Sequence, residues 1–469
     1  MSKSTPPSLE TLVSLAKRRG FVFQGSEIYG GLAGTWDYGP LGVLLKKNIE
    51  NLWWQHFVTE RDDMYGLDTT ILMNSRVWEA SGHTGAGFAD PLVEDNKTNK
   101  RYRADHLLEE AGVKDVDQLT FEQMDSKIRE LGLKSPDGNA LSEVRQFNMM
   151  FSTQAGPIED TSAKVYLRPE TAQGMFVNFK NVLDSMHPKL PFGLAQIGTA
   201  FRNEITPRDF IFRVRELEIM ELEYFVKPSD WERAFEDMHR QTLAWYERLG
   251  LPKDSIHLVD VPEADRAHYS AKTTDYYFNF SIGIKEIGGL AYRTDFDLSN
   301  HTTHSDADLS YLDPETNERF IPHVLEPTFG LGRNFLAVLT AAYHEEPVGE
   351  PKDGQPADTR VVLKLKPELA PVKVAVSPLL RNKPELVAKA REVYAALKLE
   401  FGAIMWDDNG NIGKRYRRQD EIGTPLCVVI DFDTLDDEAV TIRHRDTMAQ
   451  SRVKIAELPA QVAELLKTF

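Results

Sequence analysis

The chain has 469 residues, 41% of them hydrophobic and 27% charged, with a formal net charge of −17 and one cysteine. That length suits about three domains with real cores, and the composition is that of an ordinary globular protein. No apolar run of about 18 residues offers a membrane span, and a lone thiol, Cys427, excludes an intrachain disulfide and any Cys-rich zinc site. The polar start, residues 1–10, lacks the apolar stretch of a signal peptide, so a cytoplasmic location is expected. Residues 371–469 hold 15 Lys/Arg against 15 Asp/Glu, which leaves the whole negative excess in the part before them. A polyanionic partner would therefore approach through local basic patches and not through an overall field.

In chain order, an amphipathic helix is predicted over 9–19, and Gly34-Thr35-Trp36-Asp37-Tyr38-Gly39-Pro40-Leu41-Gly42 opens a second. Residues 105–141 read as helical and charged, with Leu107, Leu108, Leu119, Phe121, Ile128 and Leu131 as the apolar stripe. Residues 103–153 are expected to be an insertion within a first domain spanning 1–350. Strands are predicted at 164–167, 193–201 and 211–225, then a helix at 231–249 started by Pro228-Ser229-Asp230, then strands at 276–280 and 289–295. Pro347, Pro351, Pro356, Pro367 and Pro371, with Gly349 and Gly354, mark a linker at 351–370 that also carries a strand near 361–366. Beyond it, strand 372–376, helix 384–401, strand 403–406, helix 413–422 and strand 425–431 describe an α/β domain with a largely parallel sheet, residues 371–469.

Two stretches carry chemistry. Phe201-Arg202-Asn203-Glu204 and Arg213-Val214-Arg215-Glu216-Leu217-Glu218-Ile219-Met220-Glu221 read as two strands joined by a turn at 205–209 that contains Pro207. Period-2 alternation would put Arg213, Arg215, Leu217 and Glu221 on one face, a row of guanidiniums ending in a carboxylate. Such a row suits a ligand with phosphates at one end and an ammonium group at the other, although charged alternation is more often a salt-bridged surface. Further on, Leu325-Glu326-Pro327-Thr328-Phe329-Gly330-Leu331-Gly332-Arg333 is a strand-like entry, a glycine-rich turn and an apolar helix with an arginine in its first turn. The glycines allow close backbone approach, and a fixed guanidinium can stack on a base or grip a phosphate.

Together these stretches resemble motifs 2 and 3 of the class II aminoacyl-tRNA synthetases, and residues 34–42 resemble motif 1, the dimer-forming element. Arg101-Tyr102-Arg103-Ala104-Asp105-His106, Arg168-Pro169-Glu170-Thr171-Ala172-Gln173-Gly174, Tyr292-Arg293-Thr294-Asp295-Phe296-Asp297-Leu298 and Gln419-Asp420-Glu421-Ile422-Gly423-Thr424-Pro425 are similar to segments of the homodimeric glycyl-tRNA synthetases. The similarity runs in order from about residue 9 to the end. It implies an α+β fold: a catalytic domain with an antiparallel sheet flanked by helices, then an α/β anticodon-binding domain. It implies formation of glycyl-adenylate from glycine and ATP, then transfer of glycine to its tRNA by a homodimer.

By the same resemblance, Arg202 would hold the α-phosphate, Glu204 the adenine amino group and Arg213 the outer phosphates, with Arg333 on the adenine or γ-phosphate. Asn203, Phe212, Arg215, Leu217, Ile287, Gly330 and Gly332 complete the ATP set, and Glu286 would hold Mg²⁺ with the nucleotide; no zinc is implied. Leu217 stands where many relatives have Phe, and Thr328 where many have Ser. Glycine would be held by Glu170, Glu221 and Glu326, with Thr328 beside them and Arg103 at the edge. A substrate without a side chain must be selected by exclusion of anything larger. Three clustered carboxylates should raise one another's pKa unless a cation sits among them, so glycine binding should weaken toward acid pH. Lys414, Arg415, Tyr416, Arg417, Arg418, Arg443 and Arg445 would contact tRNA. A synthetase for another small amino acid, a non-catalytic RNA-binding relative, and side synthesis of dinucleotide polyphosphates are the other functions the sequence admits.

Overall fold

The structure, a computed structural model, describes residues 6–85, 88–114, 116, 119–156, 163–349 and 357–469. The extreme N-terminus and residues 351–356 of the expected linker lie outside the described residues.

The first helix runs Leu9–Arg19, started by Ser8, whose hydroxyl accepts from the Thr11 N–H, and stopped by Gly20 in the left-handed conformation. The second, Pro40–Trp54, has proline in its first turn, where no N–H is needed. Seven strands make the central sheet: β1 Met64–Gly66, β2 Phe192–Phe201, β3 Glu216–Val226, β4 Ile256–Asp260, β5 Lys272–Phe280, β6 Gly283–Thr294 and β7 His323–Gly330. Their spatial order is β4-β5-β6-β7-β3-β2-β1. All pairings are antiparallel except β1 with β2.

Side-chain alternation along β3 shows how the sheet is used. Met220, Leu222 and Tyr224 join the main core with Phe329 of β7 and with Trp53, Phe57, Trp245 and Phe335, contributed by helices Pro40–Trp54, Trp231–Arg248 and Leu331–Ala342 and their extensions. Phe225 points the other way, into a second core with Phe176, Phe179 and Leu298 from helices Ala172–Met186 and Phe296–Ser305. Each large aromatic so buried contributes roughly 1.5–3 kcal/mol. The sheet is thus covered on both faces, and two glutamates of β3, Glu221 and Glu223, are buried as well.

Several expectations are corrected. The strand predicted from 211 begins only at Glu216: Asp209 and Phe210 take positive φ, and an Arg208–Arg213 bridge closes the turn, so Arg213 and Arg215 belong to the turn. The inserted module starts earlier, with a three-stranded sheet built from Ala89–Glu94, Arg101–Arg103 and Arg145–Asn148. Its helical part is two helices, Ala104–Glu110 and Phe121–Glu130, around a small core containing Leu108 and Ile128, while Leu131 is exposed.

The C-terminal sheet contains β8 Val374–Pro378, β9 Ile404–Trp406, β10 Leu426–Ile430, β11 Ala439–His444 and β12 Gln450–Lys454, in the order β9-β8-β10-β11-β12. Only β8–β9 and β8–β10 are parallel, so the sheet is mixed. Nor are residues 357–370 a simple tether. Asp358–Leu363 pairs with Tyr343–Val348, and Leu363, Leu365, Leu369, Ala370, Val372 and Ile422 enter the main core. Arg18 and Arg19 pair with Glu421 across the same junction, at 3.1 and 2.6 Å. Among the described residues no helix is long and apolar enough to cross a membrane.

Candidate active site

A cavity of about 540 Å³ opens where the 25–38 segment, the turn before β3, the middle of β6 and the start of helix Leu331–Ala342 converge. Arg202, Glu204, Phe212, Arg213, Leu217, Glu286, Gly330, Gly332 and Arg333 line it, so nine of the expected ATP residues come together. Arg202 is aimed by its Nε–H bond to the Pro169 carbonyl, 3.1 Å. Arg213 donates to Glu204 at 2.8 Å. Arg333 pairs with Glu286 at 3.1 Å and lies over the Phe212 ring, 4.6 Å from its centroid. Phe212 thus brings an aromatic surface to a site where Leu217 cannot. Gly332 is required here, because a Cβ would lie 3.0 Å from the Ile211 carbonyl.

Three expected residues stand apart from the cavity lining. Asn203 is held through its backbone by Met149 of the insertion. The Ile287 side chain is fully buried in the main core, leaving only its backbone near the site. Arg215 spends its guanidinium on the Ala33 and Glu204 carbonyls, fixing the turn to the 25–38 segment.

The inner end of the cavity stops at Gly288 and Thr328, and the carboxylates lie directly behind. Register explains this: Thr328 on β7 faces Glu221 on β3, and its hydroxyl donates to Glu221 at 3.0 Å. The Thr171 N–H and hydroxyl donate to the other oxygen of Glu221. Glu170 accepts from Gln173 at 2.9 Å and lies 3.2 Å from His83 Nε2. It is presented by a turn that Arg168 pins to the Thr69 and Thr199 carbonyls, both at 2.7 Å. Gly198 leaves room for that arginine, since a Cβ would lie 2.4 Å from its guanidinium. Arg103 does not reach this group; it is tied to Asp90 at 2.9 Å and to Asp105 inside the insertion.

A cation does sit among the carboxylates. Arg293 is buried and donates to both oxygens of Glu326, at 2.8 and 2.9 Å, and to both of Asp297, at 2.7 and 2.8 Å, with the Tyr269 ring 3.7 Å away. The pKa values diverge accordingly. Against the upward push of burial, His83 and Arg293 hold Glu170 below the usual carboxylate range. Burial, then the nearby Glu170, raises Glu221. Burial raises Glu326 to about 8 despite Arg293, with Glu221 and Glu170 adding to the rise. Acid sensitivity therefore belongs near neutrality and not in the ordinary carboxyl range.

The C-terminal cations divide. Arg415 is buried and donates to the Pro378, Asp408 and Gly410 carbonyls, tying together the loops after β8 and β9. Arg443 is buried against Asp420, and Arg445 against the Leu365 and Gly423 carbonyls. These three are structural, which corrects the expectation that they touch RNA. Tyr416 packs under Arg443, 4.7 Å away, and burial pushes its pKa up to about 12. Arg418 is held by Asp407. Lys414 and Arg417 have no ion-pair partner among the described residues and line a surface groove with Arg19.

Sequence reasoning missed the roles of Arg293, Asp297, Gln173, His83 and Glu223. Two signals were available: Arg293 and Asp297 are four apart at a strand-to-helix junction, and Glu223 follows Glu221 at the same-face spacing of a strand.

Residues 151–343 match the family described as tRNA synthetase class II core domain (G, H, P, S and T), and residues 373–465 match Anticodon binding domain. The chain is similar to proteins named "Glycine--tRNA ligase". It is 50% identical to that of Alkaliphilus metalliredigens over 99% of this chain and 100% of the relative. It is 50% identical to that of Bacillus anthracis over 96% and 97% of the two chains, and 47% identical to that of Deinococcus radiodurans over 98% and 99%. With near-complete coverage at such identity, and with the site just described, the chain belongs to the glycine–tRNA ligase family of class II aminoacyl-tRNA synthetases.

Proposed function

We propose that this chain activates glycine with ATP to glycyl-adenylate and passes the glycyl group to the 3′ end of its tRNA. The observation that carries the reading is the meeting of two unlike half-sites at Thr328: a cavity lined by cations in front of it and buried carboxylates behind it. Glycine's carboxylate attacks the α-phosphate of ATP in line, and the transition state gathers negative charge that Arg202 and Arg333 are placed to balance. Glu204 suits the adenine amino group, Arg213 the outer phosphates and Phe212 the adenine ring. The glycine ammonium is held by Glu221, Glu326 and Glu170. A larger amino acid would force its side chain against Thr328 and the packed carboxylates behind it, displacing hydrogen bonds as well as clashing.

Glu286 fits a divalent cation carried by the nucleotide. It faces the cavity, and neighbouring Asp275 is pushed up to about 6 by burial and then by Glu286, a like-charged pair that Mg²⁺ would relieve. Such an ion would neutralise phosphate charge as pyrophosphate leaves. Ile28 and Tyr29 are 91% and 87% exposed beside the cavity rim, and exposed Leu32, Val43, Leu44 and Leu72 support a homodimer through the motif 1 region. Lys414 and Arg417 are the cations best placed for tRNA, and the setting is cytoplasmic.

The test is ATP–pyrophosphate exchange with glycine, alanine, serine, proline and threonine side by side. Exchange with glycine alone is expected. Exchange with another of them would keep the chemistry but overturn the pocket, and none at all would favour a non-catalytic relative.

A further inference from the structure

Glu223 is the one carboxyl group of the inner cluster with no assigned task. It is 0% exposed, lies on β3 opposite Leu194 of β2, and neither of its oxygens has a hydrogen-bond partner among the described residues. One oxygen from each of Glu221, Glu223 and Glu326 lies within 4.8 Å of the other two. The buried cation among the groups acting on Glu223 is Arg293, whose N–H groups are already given to Glu326 and Asp297. The charged and titratable groups around Glu223 are Glu221 on its own strand, Glu326 on β7, Arg293 on β6 and Asp297 at the start of helix Phe296–Ser305. Glu170, His83, His301 and Tyr269 join the same cluster through Gln173 and Arg293. A fully buried, unpaired carboxylate beside two others is not a stable arrangement, whereas a neutral carboxylic acid there is a hydrogen-bond donor with an oxygen of Glu221 and one of Glu326 within 4.8 Å.

We propose that Glu223 is a positioning residue that keeps its proton and turns it toward Glu326, so that Glu326 gives up its own proton more readily when the glycine ammonium group arrives. The proton remains on Glu223 throughout; no group is transferred. Burial and the charge of Glu326 both favour the neutral form of Glu223, in agreement with this role. The inference rests on the glycine-activating function proposed above and deepens it, by naming what sets the charge of the ammonium-binding carboxylate.

The experiment is the pH profile of glycine KM in pyrophosphate exchange for the wild type, Glu223→Gln and Glu223→Leu, with ATP KM followed in parallel. An amide is also a donor, so Glu223→Gln should keep the midpoint of the wild-type profile. Glu223→Leu should move the midpoint about one unit upward and raise glycine KM about tenfold at neutral pH, with ATP KM unchanged. A midpoint moved a unit downward in Glu223→Gln would mean that Glu223 is ionised, and a uniform rise in KM without a shift would mean that it touches the substrate. Either overturns the proposal, as does a wild-type profile in both variants. If Glu223→Leu does not fold, the infrared readout decides. Infrared spectroscopy of the wild type at pH 8.5 should show a protonated-carboxyl band that Glu223→Gln loses, and its absence would also overturn the proposal. That readout needs no substrate, so it separates failure of this inference from failure of the glycine assignment.

Discussion

At the outer end of the cavity Arg333 and Glu286 are partly exposed and paired with each other, and Arg213 pairs with the more buried Glu204. At the inner end, Arg293 and Glu326 are almost wholly buried and fixed from several sides. The side chains of Arg333 and Glu286 are 30% and 44% exposed, against 1% and 6% for Arg293 and Glu326. Exposed pairs of this sort are worth about 0–1 kcal/mol, so a nucleotide can displace them at little cost. Removing one partner from a buried pair costs roughly 3–5 kcal/mol, so the inner end is a fixed template. The difference teaches where selectivity and adaptability reside: a smallest-substrate pocket must not yield, while a site for a large charged nucleotide can close on arrival.

Three outcomes would sharpen or break that contrast. The largest belongs to Arg333→Ala, which should lower kcat/KM for exchange about a thousandfold, near 4 kcal/mol, with thermal stability nearly unchanged because the arginine is half exposed. A large loss of stability would show the outer end to be structural too. Next is pH. In the proposed reaction Glu326, raised to about 8, must be ionised to meet the ammonium, so glycine binding would expel a proton. Glycine KM should then rise up to tenfold per unit as pH falls below about 8, with no such slope above it. A flat profile from pH 6 to 8 would place the titrating proton elsewhere. The smallest effect is expected for Thr328→Ser, which keeps the hydroxyl donated to Glu221 but removes a methyl group. Discrimination against alanine should fall by up to about tenfold, near 1 kcal/mol, in exchange assays; unchanged discrimination would mean that the backbone and carboxylates alone form the wall.

Most of the outer end was legible in the sequence, because its residues lie close together in two runs and their chemistry is that of phosphate binding. Helices such as Leu9–Arg19 and Pro384–Phe401 were legible to the residue, marked by Ser8, Gly20 and Pro384. The turn expected at 205–209 was legible, but its extension to Arg215 was not, because the left-handed residues Asp209 and Phe210 give no glycine signal. Nor was the inner network, in which Gln173, Arg293, Asp297 and Glu326 meet from four elements and only the sheet register unites them. The C-terminal cations misled for a related reason. A basic run on a helix looks alike whether its arginines reach solvent or, as with Arg415, bind loop carbonyls from inside.

The central claim is that the two ends act on different substrates, and Glu326→Gln tests it most directly. Glycine KM and ATP KM should be measured together in pyrophosphate exchange. Glycine KM is expected to rise about a hundredfold, near 3 kcal/mol, with ATP KM within about twofold of the wild type. Equal rises in both, or no rise in either, would contradict the account.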